Sequence, residues 1–226
     1  MNQGFQGHGL RALVASDGFR STILFLIALN AFAMGLEATP PAAEIYATPL
    51  SWLFLVSQVI FVAEIAARWV TTPRGEFFKD SWNRFDFVVV ALSLMPAIGE
   101  FALVARIFRI LRVLRIVSVS DVLCGSLLRE DAGTRAILVA LLLVLLSGYV
   151  FALSGFHLFG KAMIEWSSLA ESVASLVRSL TPTGFVAALE AGGGLLLFHA
   201  LFYVSLLSTL VNLGAALLRK SGEAAS

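Results

Sequence analysis

The chain has 226 residues, 58% of them apolar and 14% charged, with a formal net charge of +1 and a mean hydropathy of +0.88. Soluble globular chains average about 45–50% apolar and about 25% charged residues, so an ordinary soluble domain is excluded. No basic block offers a surface for nucleic acid, and a lone cysteine, Cys124, permits neither an internal disulfide nor a metal cluster.

Residues 1–20 contain no long apolar run and read as a cytoplasmic segment rather than a cleaved signal peptide. A bilayer core of ~30 Å needs roughly 20 mostly apolar residues per helix. Six spans satisfy this, at about 21–38, 50–70, 85–99, 101–120, 136–159 and 193–218. A shorter apolar stretch at about 167–180 ends in Thr181-Pro182-Thr183-Gly184 and predicts a re-entrant helix enclosed by protein. Residues 118–135 are mixed in character and suit an interfacial connector. Arg11, Arg20, Arg68, Arg74, Lys79, Arg84, Arg129, Arg135, Arg219 and Lys220 fall on one side of this pattern, Glu37, Glu44 and Glu100 on the other. By the positive-inside rule both termini are cytoplasmic. No internal repeat of the kind found in two-half transporters is present.

The fourth span carries Arg106, Arg109, Arg112 and Arg115 at a strict three-residue spacing, separated only by bulky apolar residues. An arginine at the bilayer centre costs from about 2.5 to more than 10 kcal/mol, so four in one span require a reason. In an α-helix they drift by roughly 60° per step; in a 3₁₀ stretch they align. Either way, a shift of one step carries each guanidinium to its neighbour's place, as a sensor of membrane voltage requires. Counter-charges stand in otherwise apolar helices: Glu64 in the second span and Asp86 in the third. Phe61, one turn before Glu64, is placed to plug the path, and Asn30 in the first span is a further polar group facing the bundle. Glu64 and Asp86 also have a structural alternative, as ion-pair partners of Arg68 or Arg84.

SDGFRSTILFLIALNAFAMGLEAT, FVAEIAAR, WNRFDF and the arginine ladder resemble the sensor of bacterial homotetrameric voltage-gated sodium channels. YVFALSGFHLFG, Trp166 with Glu171-Ser172, and Asn212-Leu213 resemble the same family's pore. The resemblance covers nearly all of residues 17–220. It implies an all-α integral membrane fold with six transmembrane helices: a four-helix voltage sensor and a two-helix pore module with a re-entrant pore helix. The corresponding divisions are 1–20, a sensor at 21–120, an interfacial linker at 121–135, a pore at 136–220 and a short cytoplasmic tail at 221–226. The implied function is a voltage-gated ion channel subunit in a bacterial inner membrane. Its partners would be permeant inorganic ions, the lipid bilayer and three further copies of itself, with no cofactor.

The family's filter reads Thr-Leu-Glu-Ser-Trp, whereas this chain has Thr181, Pro182, Thr183, Gly184 and Phe185. Thr183 replaces the glutamate, so four subunits supply no carboxylate ring of the kind that attracts cations. Weakly selective monovalent cation conduction is the resulting expectation. Arg178, in the first pore helix, opens the alternative of a voltage-gated chloride channel, or else pairs with Glu190 or Glu171 behind the filter. Phe185 also lacks the indole N–H that could brace adjoining subunits. Leu207, Val211, Gly214 and Leu218 recur on one face of the last helix, and the resemblance marks Leu218 as a gate. A secondary transporter is the more distant alternative, and an enzyme is not expected: the three histidines lack metal spacing and no nucleophile motif occurs.

Overall fold

In the computed structural model the residues described are 3–73, 75–95, 101–118 and 132–224. These divide into two compact units, Met1–Val119 and Ser120–Ser226. The expected linker, with Cys124, lies outside the described residues up to position 131, as do Arg74 and Glu100.

The first unit opens with α1 (Gln3–Ala15), followed by α2 (Asp17–Glu37), α3 (Pro40–Thr71) and α4 (Ser81–Ser93). α5 (Phe101–Leu111) then tightens into a 3₁₀ turn at Arg112–Leu114 before α6 (Arg115–Ser118). Side chains already visible in the sequence start these helices. Ser16 accepts a hydrogen bond from the Phe19 amide, and Asp80 accepts one from the Trp82 amide at 2.9 Å, each satisfying an orphan donor of a first turn. Pro40 occupies the first turn of α3, where its missing N–H is harmless. α2 packs on α3, α4 on α5, and the 3₁₀ turn on α2. Ile23, Ile27, Phe61, Ile65, Phe77 and Val90 form the apolar centre.

The second unit consists of α7 (Ala132–Phe159), α8 (Leu169–Ser179), α9 (Pro182–Glu190) and α10 (Gly193–Ala224). α8 and α9 meet at 103°; α7 packs on α10 and on α8, and α9 packs on α8 and α10. α10 continues as helix to Ala224, so the predicted tail from 221 prolongs it rather than ending it. At the centre Trp166 is 1% exposed, packed edge-on against Phe198 and tilted against Phe159.

Among the described residues four helices are individually long and apolar enough to cross a membrane: Asp17–Glu37, Pro40–Thr71, Ile137–Phe159 and Gly193–Ala215. α4 and the arginine-bearing α5–α6 segment, at the third and fourth predicted spans, are shorter or charged. The fold is therefore all-helical and membrane-embedded. The helices that carry the second and fifth spans begin earlier than hydropathy predicts, at Pro40 and Ala132, because helix propagates past the apolar boundary.

Two glycines of YVFALSGFHLFG explain how the aromatic centre fits. A Cβ on Gly155 would lie 2.0 Å from the Trp166 ring, and one on Gly160 would lie 2.4 Å from the Phe156 carbonyl oxygen. By contrast, nothing lies within 4 Å of a Cβ placed on Gly148 of the same helix. Overpacking a filled core costs about 1–3 kcal/mol. Gly155→Ala should therefore lower the melting temperature of the purified protein in detergent, and Gly148→Ala should not.

Candidate functional site

Burying an arginine is costly unless hydrogen bonds or opposite charge replace its water. Arg115 has both. Its Nη2 lies 2.7 Å from Glu64 Oε2 and its Nε 3.0 Å from Asp86 Oδ1. All three side chains are buried, at 2%, 5% and 1% exposure. Arg68 completes the group, one turn beyond Glu64 on α3: it pairs with Glu64 through Nε and with Asp86 Oδ2 at 2.7 Å, and donates to Asn83 Oδ1 at 3.2 Å. Two guanidiniums thus share two carboxylates. Arg68 is a partner of both acids, as the structural alternative anticipated, but it does not displace the ladder. Arg84 joins neither acid and instead donates to Ser81 at 3.0 Å.

Phe61 is fully buried above this cluster. The guanidinium carbons of Arg112 and Arg115 lie 4.7 and 5.3 Å from the centroid of its ring, so two successive rungs flank a single aromatic face. The 3₁₀ turn brings this about: tightening the helix over Arg112–Leu114 reduces the angular drift between Arg112 and Arg115. Arg112 makes no contact with a carboxylate among the described residues. It donates to Gln58 Oε1 and, at 2.6 Å, to Ser93 Oγ. Further along the same path the Arg109 guanidinium lies 5.1 Å from the Phe54 ring. Arg109 lines a crevice of about 490 Å³ with Glu37, Ser51, Gln58 and Ser93. Arg106 is exposed. The structure therefore brings two of the four arginines into the packed interior, leaves a third at its mouth and places the fourth outside.

Asn30 is buried and donates to Ser57 Oγ at 2.8 Å and to its own helix at the Leu26 carbonyl. It borders the hollow beside Arg109 and Arg112 but does not touch Glu64 or Asp86. Gln58, Ser93 and Ser57 were not singled out from sequence. Their signal was spacing: Ser57, Gln58, Phe61, Glu64 and Arg68 recur at three- and four-residue steps along one face of α3, and Ser93 stands two turns beyond Asp86 on α4.

In the second unit the predicted filter residues sit at a very short break. Thr181 caps α9, accepting from the Gly184 amide at 3.2 Å, and Pro182 occupies the first helical position. Pro182, Thr183, Gly184 and Phe185 therefore belong to the first turn of α9, and only Leu180 and Thr181 are non-helical. The Thr181 and Thr183 hydroxyls lie 3.4 Å apart on the exposed side. Gly184 is required by close approach, because a Cβ there would lie 2.0 Å from the Arg178 carbonyl oxygen. Arg178 is exposed and, among the described residues, makes no ion pair with Glu171 or Glu190; it borders a cavity of about 160 Å³ shared with Glu165, Ser175 and His199. On α10, Leu207, Val211 and Leu218 are exposed in the single chain and Gly214 partly so.

Residues 16–218 match the family described as ion transport protein. A sodium channel protein of Electrophorus electricus is 30% identical over 164 residues, which is 68% of this chain and 9% of that protein. The type 5 sodium channel alpha subunit of Mus musculus is 35% identical over 86 residues, or 38% of this chain and 4% of that protein. The chain thus spans less than a tenth of the length of these relatives. Among solved structures, NaChBac in a lipid nanodisc aligns with a TM-score of 0.48 at 28% identity, covering 94% of this chain and 98% of that one.

The buried four-charge group has a direct stability test. Removing one member of a buried ion network typically costs about 3–5 kcal/mol, because the partner charge is left uncompensated. Asp86→Asn and Arg115→Gln should each lower the unfolding temperature in detergent. The double substitution should cost less than the sum of the two, since it removes one charge of each sign.

Proposed function

The chain belongs to the ion transport protein family, and from that premise we propose that four copies assemble into a voltage-gated ion channel whose pore conducts monovalent cations with weak discrimination. The observation that carries this reading is the pair Arg112 and Arg115 against the one Phe61 ring, with Glu64 and Asp86 on Arg115. An arginine ladder that merely anchored a helix would have no need of a buried ring and two buried carboxylates at a single level. Here Arg112 and Arg115 each have a polar seat, one step apart.

On this reading residues 21–120 are the sensor and 136–220 the pore, in a plasma membrane with both termini cytoplasmic. Depolarisation holds the ladder outward, with its last rung, Arg115, on the carboxylates. Three residues further on stands Ser118, which carries no charge to succeed it, so this position is the outer limit of travel. At negative potential the helix moves inward, Arg112 and then Arg109 pass Phe61, and each takes the two acids in turn. If about three charges per subunit cross the field, four subunits deliver roughly 28 kcal/mol per 100 mV. That exceeds the few kcal/mol separating ordinary conformers. The linker at 121–135 carries the displacement to α7 and α10, and the face bearing Leu207, Val211, Gly214 and Leu218 lines and closes the pore.

Thr181 and Thr183 present hydroxyls rather than carboxylates at the filter, which supports conduction of cations without strong preference. Both relatives above are named sodium channels, and neither gives support to the anion alternative suggested by Arg178. We therefore keep the cation reading.

Three measurements test it. The mass of the purified protein in detergent should correspond to four copies; a conducting monomer would overturn the assembly. In voltage-clamped bilayers, replacing Arg109 and Arg112 by Gln should flatten the conductance–voltage curve, because fewer charges cross the field; an unchanged slope would remove the sensor role. Under asymmetric NaCl and KCl, Thr183→Glu should raise sodium or calcium permeability, whereas Arg178→Gln should leave the chloride-to-sodium ratio unaltered.

A further inference from the structure

We propose that Tyr203 of α10 is the positioning residue of the filter turn, gripping both of its ends with a single side chain; the inference rests on the reading of residues 181–185 as the filter. The last four carbonyls of any α-helix lack partners within it. At the end of α8 each of these four is taken up in a specific way. The Leu176 carbonyl accepts from Ser179 Oγ at 2.7 Å and the Val177 carbonyl from the Leu180 amide at 3.1 Å. The Arg178 carbonyl accepts both the Thr181 amide, at 3.0 Å, and the Thr181 hydroxyl, at 2.7 Å. These three are local bonds that any sequence of this pattern forms. The fourth is not local: the Ser179 carbonyl accepts from the Tyr203 hydroxyl at 2.9 Å, across 24 positions of sequence.

The same side chain meets the far end of the turn. The Tyr203 ring lies 5.3 Å, centroid to centroid, from the ring of Phe185. Ser179 precedes the break and Phe185 follows it, so the phenol hydroxyl holds the entrance while the ring holds the exit. His199, one helical turn earlier on α10, stacks 6.2 Å from Tyr203 and 6.0 Å from Trp166, which ties the grip to the buried aromatic centre. Phe185 cannot form the indole hydrogen bond that would brace a filter between subunits. In this chain the brace comes instead from the inner helix of the same subunit. Two consequences follow. The direction of the Ser179 carbonyl, at the negative end of the α8 dipole, is set by Tyr203, and movement of α10 is passed directly to the turn.

Tyr203→Phe removes the hydroxyl and keeps the ring, and Ser205→Ala serves as a control. Ser205 is on the same helix and its hydroxyl lies 2.8 Å from Ser147 Oγ, away from the turn. Hydrogen–deuterium exchange of the full-length protein in detergent reads the grip independently of conduction. With a typical hydrogen bond lost, the amides of residues 180, 181 and 183–185 should exchange about fivefold faster in Tyr203→Phe, with α7 and the rest of α10 unchanged. Ser205→Ala should leave that segment at the wild-type rate. In bilayers under asymmetric NaCl and KCl, Tyr203→Phe should also shift the reversal potential while leaving the slope of the conductance–voltage curve intact. Unchanged exchange at 180–185, or acceleration spread evenly over α7 and α10, would overturn the proposal. If the wild-type protein carries no current, it is the channel reading that fails, and the exchange experiment still decides whether Tyr203 holds the turn.

Discussion

The first unit is organised by one electrostatic constraint, the neutrality of a four-charge group buried among apolar side chains. Arg115 and Arg68 face Glu64 and Asp86 at hydrogen-bonding distance, so the two positive and two negative charges of the group balance one another. Much else follows. α3 must present Glu64 and Arg68 one turn apart, α4 must deliver Asp86 to the same level, and the arginine helix must enter at the height that offers Arg115. Phe61 then separates this charged level from a neutral one, where Gln58 and Ser93 hold Arg112 with dipoles alone. The two seats are chemically unequal. On the proposed function, an arginine moving between them would exchange carboxylate partners for an amide and a hydroxyl, and that inequality would bias where the ladder rests.

The second unit is organised by apolar packing and helix-end chemistry. Trp166 fills the space left by Gly155 and sets the level of Phe198 and His199. Above them, α8 and α9 turn through 103° with only two residues outside helix. Such a short break is possible because Thr181 caps one helix while bonding back to the other, and because proline is already bent for a first helical turn. The turn is rigid by construction rather than by length.

Much of this was legible in the sequence. The spans, the ladder and its two acids follow from periodicity and the cost of intramembrane charge, whereas the caps at Ser16, Asp80 and Thr181 emerged with the structure. What stayed hidden was partner choice. Arg68 stood in the sequence as an alternative to the ladder, yet it joins Arg115 on both acids. Gln58 and Ser93 carry no charge and drew no attention, since neutral polar residues in a span are inexpensive and frequent. Tyr203 was invisible for a different reason: its hydroxyl acts on a backbone carbonyl 24 positions away, and no side-chain pattern marks a carbonyl. The ladder itself was overestimated in one respect. Spacing suggests four equivalent rungs, whereas burial distinguishes Arg112 and Arg115 from the exposed Arg106.

The change of winding at Arg112–Leu114 has a mechanical meaning. A 3₁₀ segment rises about 2.0 Å per residue against about 1.5 Å in an α-helix, so three residues so wound lengthen the rod by roughly 1.5 Å. The tight winding lies beside Phe61, where two guanidiniums must share one aromatic face. Were it fixed to that ring rather than to particular residues, each stretch of chain would be rewound on arrival and relaxed on departure. The arginine helix then behaves as a rack whose tooth spacing adjusts only where it meets the pinion. The rest of the rod advances without turning as a whole.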